Sequence, residues 1–249
     1  MSMYDNTARF YDVLMADVDY PGYAAYIHRL FQKFMKTPPS SVVDLACGTG
    51  TLTLELHRLG YDMTGVDVSR EMLSKAHEKN NKDILWINQD ISRLNLYGTV
   101  DAAVCFLDGI NHITEARRIC RLMRLVYTFL NPGGVFVFDV NTRFKFEHVY
   151  ANNVFYEIDQ DVSYIWENTY HSGKGTCRMD ITYFMRNENG CYSKHEDSHV
   201  QRVYEIKELE HMASEAGFRV KGVFNDKTLR KAGEDTERAF LVIKKEEAK

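Results

Sequence analysis

The sequence predicts an α/β protein that is built on a mostly parallel sheet and carries an antiparallel β insertion after the fifth strand. Through the first 140 residues, short runs of β-branched and apolar residues alternate with amphipathic helical segments. This alternation is typical of a parallel sheet that is covered by helices on both faces. Between Val154 and Val203 the hydrophobic period changes to two, and glycine-containing turns separate the runs. That second pattern predicts antiparallel strands joined by hairpins.

Length, composition and charge limit the possible organisation and partners. The chain has 249 residues, of which 45% are hydrophobic and 27% are charged. We therefore expect residues 1–249 to form a single domain, with residues 141–205 as an insertion within it. The formal net charge is −4, which provides no overall basic field for a nucleic acid backbone. Arginines at positions 117, 118, 121 and 124 are predicted to lie mostly on a solvated helix face, and a local tRNA contact is the alternative.

Cysteine usage and apolar segments bear on metal sites, disulfides and membranes. The five cysteines are widely spaced and form no CxxC pair, so they support neither a disulfide framework nor a structural zinc site. The amino terminus lacks a basic region followed by an apolar core, and no apolar stretch approaches the length of a membrane span. We therefore expect a cytoplasmic protein that needs no membrane and acts as a monomer or a homodimer.

Helices and strands can be placed in order along the first 140 residues. The first helix covers about residues 20–35 and ends before Pro38 and Pro39. Ser69 is a suitable N-cap for a helix that starts at Arg70. The predicted strands that follow the first helix are residues 42–45, 63–67, 84–87, 102–107 and 135–140, and the predicted helices are residues 51–59, 70–79 and 115–130.

The insertion interrupts this pattern and is followed by a return to it. Within the insertion, turn residues lie at positions 172–175 and 187–190, and aromatic and apolar residues alternate between them. A helix over residues 206–216 follows, and then strands over residues 220–224 and 240–243. We expect the insertion to cover the carboxyl ends of the parallel strands, because ligands of open α/β sheets bind there.

An acid stands at the end of each of the first two predicted strands, and a turn of small residues follows the first acid. This turn consists of Ala46, Cys47, Gly48, Thr49 and Gly50, and it lacks the third glycine of the dinucleotide-binding GxGxxG pattern. Asp44 would repel a pyrophosphate but attract an ammonium or sulfonium group. Asp67 follows Gly48 by nineteen residues and could hold ribose hydroxyls in either kind of cofactor. Together these features favour S-adenosylmethionine over a dinucleotide.

These motifs resemble those of the class I S-adenosylmethionine-dependent methyltransferases over roughly residues 1–140. The matching segments are residues 43–50 (VDLACGTG), 65–69 (GVDVS), 88–91 (NQDI), 101–108 (DAAVCFLD) and 130–134 (LNPGG). The resemblance implies a Rossmann-like sheet of seven strands, of which the last is antiparallel. It also implies S-adenosyl-L-methionine as the methyl donor and S-adenosyl-L-homocysteine as the product. Ala46 is a departure, since many members have glycine at this position.

The resemblance further implies which residues bind the cofactor. Gly48 and Gly50 would approach the methionine part, and Asp67 would bind the two ribose hydroxyls. Asp90 would bond to the adenine amino group. The other residues of the predicted cofactor site are Met72 and Ile91, which would flank the adenine ring, and Asp44, Ala46, Cys47 and Val68. Two alternatives remain, in which Asp44 caps the following helix and Asp90 is an ordinary loop acid.

The chemistry of methyl transfer points to a second group of candidates. A neutral amine acceptor needs mainly alignment, whereas a phenol or alcohol needs a general base. His112, on the loop after the fourth strand, is the candidate base, and a purely structural hydrogen bond is the alternative. Asp108 on the same loop would bind the cofactor's ammonium group or a substrate amine. Tyr4 and Tyr11 resemble the amino-terminal element of small-molecule N-methyltransferases, in which a tyrosine hydroxyl reaches the methyl group or the cofactor carboxylate; lid packing is the alternative.

The start of the insertion is predicted to form the wall of the acceptor site, and it resembles the sheet found at this place in sugar-amine and glycine N-methyltransferases. Its candidate substrate-binding residues are Arg143, Tyr164, Trp166 and Tyr170. His195, Asp197 and His199 do not predict a metal site, because residues four apart on a strand are about 13 Å from each other.

The sequence therefore predicts an enzyme that transfers a methyl group to the nitrogen or oxygen of a small-molecule acceptor. Methylation of tRNA or of a protein is one alternative, and cofactor binding without transfer is another.

Overall fold

The computed structural model describes residue 8, residues 11–79 and residues 82–247. The strands are β1 (Ser41–Leu45), β2 (Asp62–Asp67), β3 (Leu85–Asn88), β4 (Val100–Cys105), β5 (Leu130–Asn141), β6 (Val154–Glu157), β7 (Val162–His171), β8 (Thr176–Arg186), β9 (Tyr192–Arg202), β10 (Arg219–Asn225) and β11 (Arg238–Lys244). The α-helices are α1 (Tyr11–Leu14), α2 (Tyr20–Phe34), α3 (Thr51–Arg58), α4 (Arg70–Glu78), α5 (Ala116–Phe129) and α6 (Ile206–Glu215). Residues Ile91–Arg93 form a 3-10 turn, and Lys145–Tyr150 form a π-helical segment.

The larger sheet has seven strands in the order β10-β11-β5-β4-β1-β2-β3. Strands β1 to β5 pair in parallel, whereas β11 pairs antiparallel to both β5 and β10. This arrangement confirms the predicted mostly parallel sheet and its antiparallel last strand. The carboxyl ends of β1, β2 and β4 consequently lie along one edge, where the loops that follow them meet.

Helices cover both faces of this sheet, and each face has its own apolar cluster. The helix α5 buries Ile119, Leu122 and Met123 in one cluster, and α2 buries Ile27 and Leu30 in the other. The spacing of three and four residues places these side chains on one side of each helix. Full burial of each such side chain contributes about 1.5–3 kcal/mol. Within the described ranges, no helix is long and apolar enough to span a bilayer.

The smaller sheet is the predicted insertion, with four antiparallel strands in chain order from β6 to β9. Its register aligns Trp166 with Ile181, and Ile181 with Asp197, so these side chains belong to the same face. Tight turns around Gly173 and Gly190 join the last three strands, as the sequence predicts. The two-residue alternation therefore identified this sheet correctly.

Asn111 is completely buried and joins the two sheets. Its side-chain amide donates to the carbonyl oxygens of Asn141 and Arg202, at 3.2 and 2.9 Å, and its side-chain oxygen accepts from the Asn141 N–H at 2.9 Å. The Arg202 N–H donates to the Asn111 carbonyl oxygen at 2.8 Å. Because buried amides lose stability when they are left unbonded, this pattern fixes the end of β9 against the loop that follows β4.

The predicted boundaries agree with the structure to within two residues except at the start of β5, and the differences at β4 and β5 have physical reasons. The strand β4 ends at Cys105 because Leu107 and Asp108 have φ values of +57° and +59°, which end an extended chain. The strand β5 begins at Leu130, five residues before its predicted start, because the predicted turn around Gly133 lies inside a bulge of the β4–β5 ladder. The short elements α1 and Lys145–Tyr150 had no periodic signal in the sequence.

Candidate active site

A cavity of about 570 Å³ lies at the carboxyl ends of β1, β2 and β4. Loops of the large sheet form one side of this cavity, and the inner face of β7, β8 and β9 forms the other. Twelve of the predicted site residues line it, namely Tyr11, Ala46, Gly48, Asp67, Val68, Met72, Asp90, Ile91, Asp108, His112, Tyr164 and Trp166. Five others, Asp44, Cys47, Gly50, Arg143 and Tyr170, are not among its lining residues. Tyr4 lies outside the described residues.

The turn after β1 has left-handed backbone at three positions. Ala46, Gly48 and Gly50 have φ values of +58°, +56° and +72°. For an alanine this conformation costs about 1–2 kcal/mol, whereas glycine adopts it without that cost. Packing in the interior, and not the cavity, leaves no room for a side chain at Gly50, because a Cβ atom there would lie 2.3 Å from the Trp86 ring. Cys47 is also directed into the interior, beside Gly65.

Asp67 lies at the end of β2 and is 7% exposed. Its two carboxylate oxygens accept hydrogen bonds from the backbone N–H groups of Gly48 and Ser69, each at 2.8 Å. Burial raises the pKa of Asp67, and these two hydrogen bonds oppose the rise. Each oxygen still has a lone pair available. The carboxylate is therefore held in place by the main chain, and it can accept from two further donors in the cavity.

Asp44, at the end of β1, is buried away from the cavity and accepts a hydrogen bond from the Thr53 hydroxyl at 2.6 Å. Burial raises its pKa to about 7, while the bond from Thr53 acts in the opposite direction and nearby Asp67 adds to the rise. Its partner belongs to α3, so Asp44 attaches that helix to the sheet. The Asp44 carboxylate therefore binds the first turn of α3, as in the helix-capping alternative, but it accepts from a side-chain hydroxyl and not from a backbone N–H.

Asp90 caps the 3-10 turn and lies at the cavity wall. Its carboxylate accepts from the Ser92 N–H and hydroxyl, and it forms an ion pair with Arg118 at 2.8 Å. Burial would raise the pKa of Asp90, but these partners outweigh it and lower the pKa below its usual range. Arg118 itself lines the cavity. The expectation of a solvated arginine face therefore holds for Arg117, Arg121 and Arg124, which are exposed, but not for Arg118.

Asp108 belongs to a charged network under the cavity. Its carboxylate accepts from Arg238 at 3.2 Å and from the Gln201 amide at 2.5 Å, and Arg238 also binds the buried Asp139. Burial would raise the pKa of Asp108, but the hydrogen bond from His112 and the charge of Arg238 outweigh it and lower the pKa well below its usual range. Asp108 is consequently an ionised carboxylate at neutral pH.

His112 lies at the edge of this network, and its ring contacts a second histidine. Its Nε2 atom is 3.1 Å from the Gln201 amide nitrogen and 3.6 Å from the Asp108 carboxylate. The centroids of the His112 and His199 rings are 5.0 Å apart. Burial, and then the proximity of His112, lower the pKa of His199 to about 4. His199 is therefore neutral at physiological pH and adds no charge to the cavity.

Comparison with known proteins identifies the chain's family. A family profile described as "Methyltransferase domain" matches residues 42–134. The putative methyltransferase YqeM of Bacillus subtilis (strain 168) is 30% identical over 246 residues, which cover 98% of this chain and 97% of that protein. A crystal structure of an S-adenosylmethionine-dependent methyltransferase from Clostridium acetobutylicum ATCC 824 has a TM-score of 0.87 and 30% identity, with 98% of this chain and 100% of the other covered. The chain belongs to the class I S-adenosylmethionine-dependent methyltransferases.

A more distant structure shares the fold of this methyltransferase, including its inserted sheet region. The X-ray structure of the sugar N-methyltransferase KedS8 from Streptoalloteichus sp ATCC 53650 has a TM-score of 0.81 and 18% identity. The alignment covers 95% of this chain and 93% of that one. At this identity the comparison establishes the fold.

At the amino-terminal side of the methyltransferase cavity, a polar cluster fixes α1. Tyr11 lines the cavity next to Gly48, and the following residue, Asp12, lies beside the first residue of α3, Thr51. Asp12 accepts from the Thr49 hydroxyl at 2.5 Å and pairs with Lys79 at 2.8 Å. Burial raises the pKa of Tyr11 well above its usual range, so its hydroxyl remains protonated. These contacts hold Tyr11 over the glycine turn.

The inserted sheet of the methyltransferase supplies the aromatic side of the cavity. Tyr164 and Trp166, which the sequence predicts to be part of the acceptor wall, line the cavity, and the centroid of the Trp166 ring lies 5.4 Å from that of Tyr150. Arg143 and Tyr170, which the sequence predicts to bind the substrate, do not line the cavity. Together with Glu147 they form an exposed cluster, in which the Arg143–Glu147 distance is 2.9 Å.

Several lining residues of the methyltransferase were not found from sequence. Gln201, His199 and Tyr183 follow the two-residue alternation of their strands, but choosing their face required the register of β8 and β9. Arg238 carried no local signal, because it reaches the cavity only through the antiparallel pairing of β11 with the end of β5. The strand β9 also carries His195 and Asp197, and in the described ranges no group of three metal-binding side chains could hold an ion.

Proposed function

We propose that this methyltransferase transfers a methyl group from S-adenosylmethionine to a nitrogen or oxygen atom of a small-molecule acceptor. The observation that carries the proposal is one continuous cavity, which joins the loops after β1, β2 and β4 to the aromatic face of the inserted sheet. An acceptor lying against that face would adjoin a cofactor lying across the strand ends. The shared fold of KedS8, a sugar N-methyltransferase, supports the same division of the site.

The residues along the strand ends fit the cofactor. Gly48 has no side chain, and a Cβ atom there would meet only the Tyr11 ring, at 3.9 Å, so the space beside its backbone is open. The Asp67 carboxylate has lone pairs for two ribose hydroxyls, and Asp90 provides an acceptor for the adenine amino group, with Met72 and Ile91 as apolar neighbours. When it is bound, S-adenosylmethionine supplies an electrophilic methyl carbon on a sulfonium ion.

The rest of the proposed mechanism concerns alignment and proton movement. Tyr11 and Trp166 would confine the reacting groups and exclude water, and alignment alone can supply about 7–11 kcal/mol of the barrier. His112 would take the acceptor proton on its imidazole ring. The Asp108 carboxylate, 3.6 Å from Nε2, would stabilise the imidazolium ion formed. Gln201 would keep the Asp108 carboxylate in this orientation by donating its amide N–H to it.

We also propose that residues 1–249 act as one methyltransferase domain, with residues 141–205 as the substrate lid. The buried Asn111 connection between the sheets supports this organisation, because it would be lost if the insertion moved away as an independent body. The acceptor wall then consists of Tyr164 and Trp166.

Two measurements test the proposed function. Titration calorimetry with S-adenosylmethionine and with S-adenosylhomocysteine should register binding of both. Incubation with methyl-labelled S-adenosylmethionine and a fractionated metabolite extract should then transfer label to a small molecule. Absence of heat with both cofactor forms would refute the proposal. Binding without label transfer to any metabolite fraction would favour a protein that binds the cofactor and transfers nothing.

A further inference from the structure

We infer that the acceptor of this methyltransferase is an amine that enters the cavity as a cation and carries no carboxylate or phosphate into it. The inference rests on the proposed function and specifies the acceptor's chemical class. The relevant surface is the inner face of β7–β9, where Asp197 lies next to the aromatic residues Tyr164, Trp166 and Tyr183.

The charges around the cavity favour a cation. Among the described lining residues there are four carboxylates and two guanidinium groups, so the formal charge is negative before the histidines are considered. The carboxylates are Asp67, Asp90, Asp108 and Asp197, and the guanidinium groups are those of Arg118 and Arg238. Bound S-adenosylmethionine would add one net positive charge, because its sulfonium and ammonium groups outnumber its carboxylate. A negative balance remains, and a protonated amine would neutralise it.

Both guanidinium groups already have anionic partners. Arg118 pairs with Asp90 at 2.8 Å, and Arg238 bridges Asp108 and Asp139. An acceptor carboxylate or phosphate would therefore have to compete with a carboxylate of the protein for either arginine. The Arg238 pairs are largely buried, and breaking them would leave an uncompensated charge, which is strongly unfavourable. Acceptors that carry an anionic group next to the methylated atom are consequently disfavoured.

The inner face of the sheet is suited to an ammonium group. Tyr164 and Tyr183 are directly opposite each other on β7 and β8, and Trp166 and Ile181 form the next pair. Asp197 is opposite Ile181 on β9, about 4.8 Å further across the sheet. Aromatic rings attract a cation through their negative faces, and a carboxylate adds a charge-assisted hydrogen bond. One surface thus offers both kinds of partner.

The proposed transfer step needs only the acceptor amine, the methyl donor and the His112 imidazole. The bound ammonium ion loses one proton to the His112 imidazole and becomes a neutral amine. Its nitrogen lone pair forms the new C–N bond to the methyl carbon, while the S–C bond breaks and its electron pair remains on sulfur. The products are a methylated ammonium ion and neutral thioether, and the proton on His112 passes to solvent.

Probe binding tests the inference without knowledge of the natural acceptor. The methyltransferase saturated with S-adenosylhomocysteine is titrated calorimetrically at pH 7 with benzylammonium, benzyl alcohol and benzoate, which are similar in size and differ in charge. We expect the cation to bind about tenfold more tightly than the other two probes. Asp197→Asn should weaken cation binding about tenfold and leave benzyl alcohol binding unchanged.

Glu196→Gln is the matched control, since Glu196 is the neighbouring carboxylate on β9 and points to the exposed outer face. It should change binding of the cation less than twofold. The inference is overturned if benzoate binds as tightly as the cation, or if Asp197→Asn and Glu196→Gln have the same effect. Failure of S-adenosylhomocysteine itself to bind would instead count against the proposed function.

The labelled product provides an independent readout. After incubation with methyl-labelled cofactor and a metabolite extract, the labelled small molecule should be retained by a cation exchanger at pH 7. Label in a neutral product would overturn the amine inference but leave methyl transfer to oxygen standing. Label retained by an anion exchanger would contradict the exclusion of anionic acceptors.

Discussion

The cofactor role of Asp67 can be tested by replacing it with asparagine, which keeps the shape of the side chain and removes its charge. In the structure both carboxylate oxygens accept backbone N–H groups at 2.8 Å, so the free lone pairs are directed by the main chain. A hydrogen bond to a charged acceptor contributes about 1.5–3 kcal/mol, against about 0.5–1.5 kcal/mol for a neutral one. Asparagine also offers one acceptor oxygen in place of two. Loss of about 3 kcal/mol is therefore expected, or about 100-fold in Kd.

The assay for Asp67→Asn is calorimetric titration with S-adenosylhomocysteine, and Asp101→Asn is the matched control. Asp101 also accepts backbone N–H groups, from Ser40 at 2.9 Å and Ser41 at 3.1 Å, but it lies at the amino end of β4, away from the cavity. Both variants should lower the melting temperature, and only Asp67→Asn should weaken cofactor binding. A change in Kd of less than threefold for Asp67→Asn, or an equal change for the control, would refute the ribose assignment.

Three further predictions concern other parts of the site. Asp44→Asn should leave cofactor affinity within about threefold. Because the pKa of Asp44 is raised to about 7 from an unfolded value of 3.8, the wild-type protein loses up to about 4 kcal/mol of unfolding free energy as the pH rises through that interval. Urea denaturation at pH 5 and pH 8 should therefore show the variant gaining stability relative to the wild-type protein at the higher pH. Trp166→Ala should reduce acceptor turnover at least tenfold with cofactor affinity unchanged, whereas Ile165→Ala on the opposite face should alter neither, as measured by label transfer and calorimetry. Ala46→Gly should raise the unfolding free energy by about 0.5–1 kcal/mol in urea titrations, because glycine adopts φ = +58° without strain; a decrease would contradict that account.

The sequence was most informative where a pattern repeats. The alternation of strands and helices predicted the seven-stranded sheet, and the two-residue period from Val154 to Val203 predicted the inserted one. Both signals are local, since each depends only on which side of an element faces the interior. The contribution of Arg238 is not local: it depends on a strand at the far end of the chain pairing with β5. The same is true of Gln201, whose contact with Asp108 joins residues that are 93 positions apart.

Asp44, Asp67 and Asp108 show why residue type and position at a strand end do not determine a role. All three are aspartates that end or follow central strands, and the sequence favoured a cofactor contact for each. Asp44 is closed in by α3 and has its pKa raised to about 7. Asp67 is held by two backbone N–H groups with its remaining lone pairs toward the cavity. Asp108 is paired with Arg238 and stays ionised. These differences come from the partners that packing supplies to each carboxylate. Substitution of Asp44 should therefore affect stability, substitution of Asp67 should affect cofactor affinity, and substitution of Asp108 should affect turnover. An equal loss of cofactor affinity at all three positions would contradict this structure.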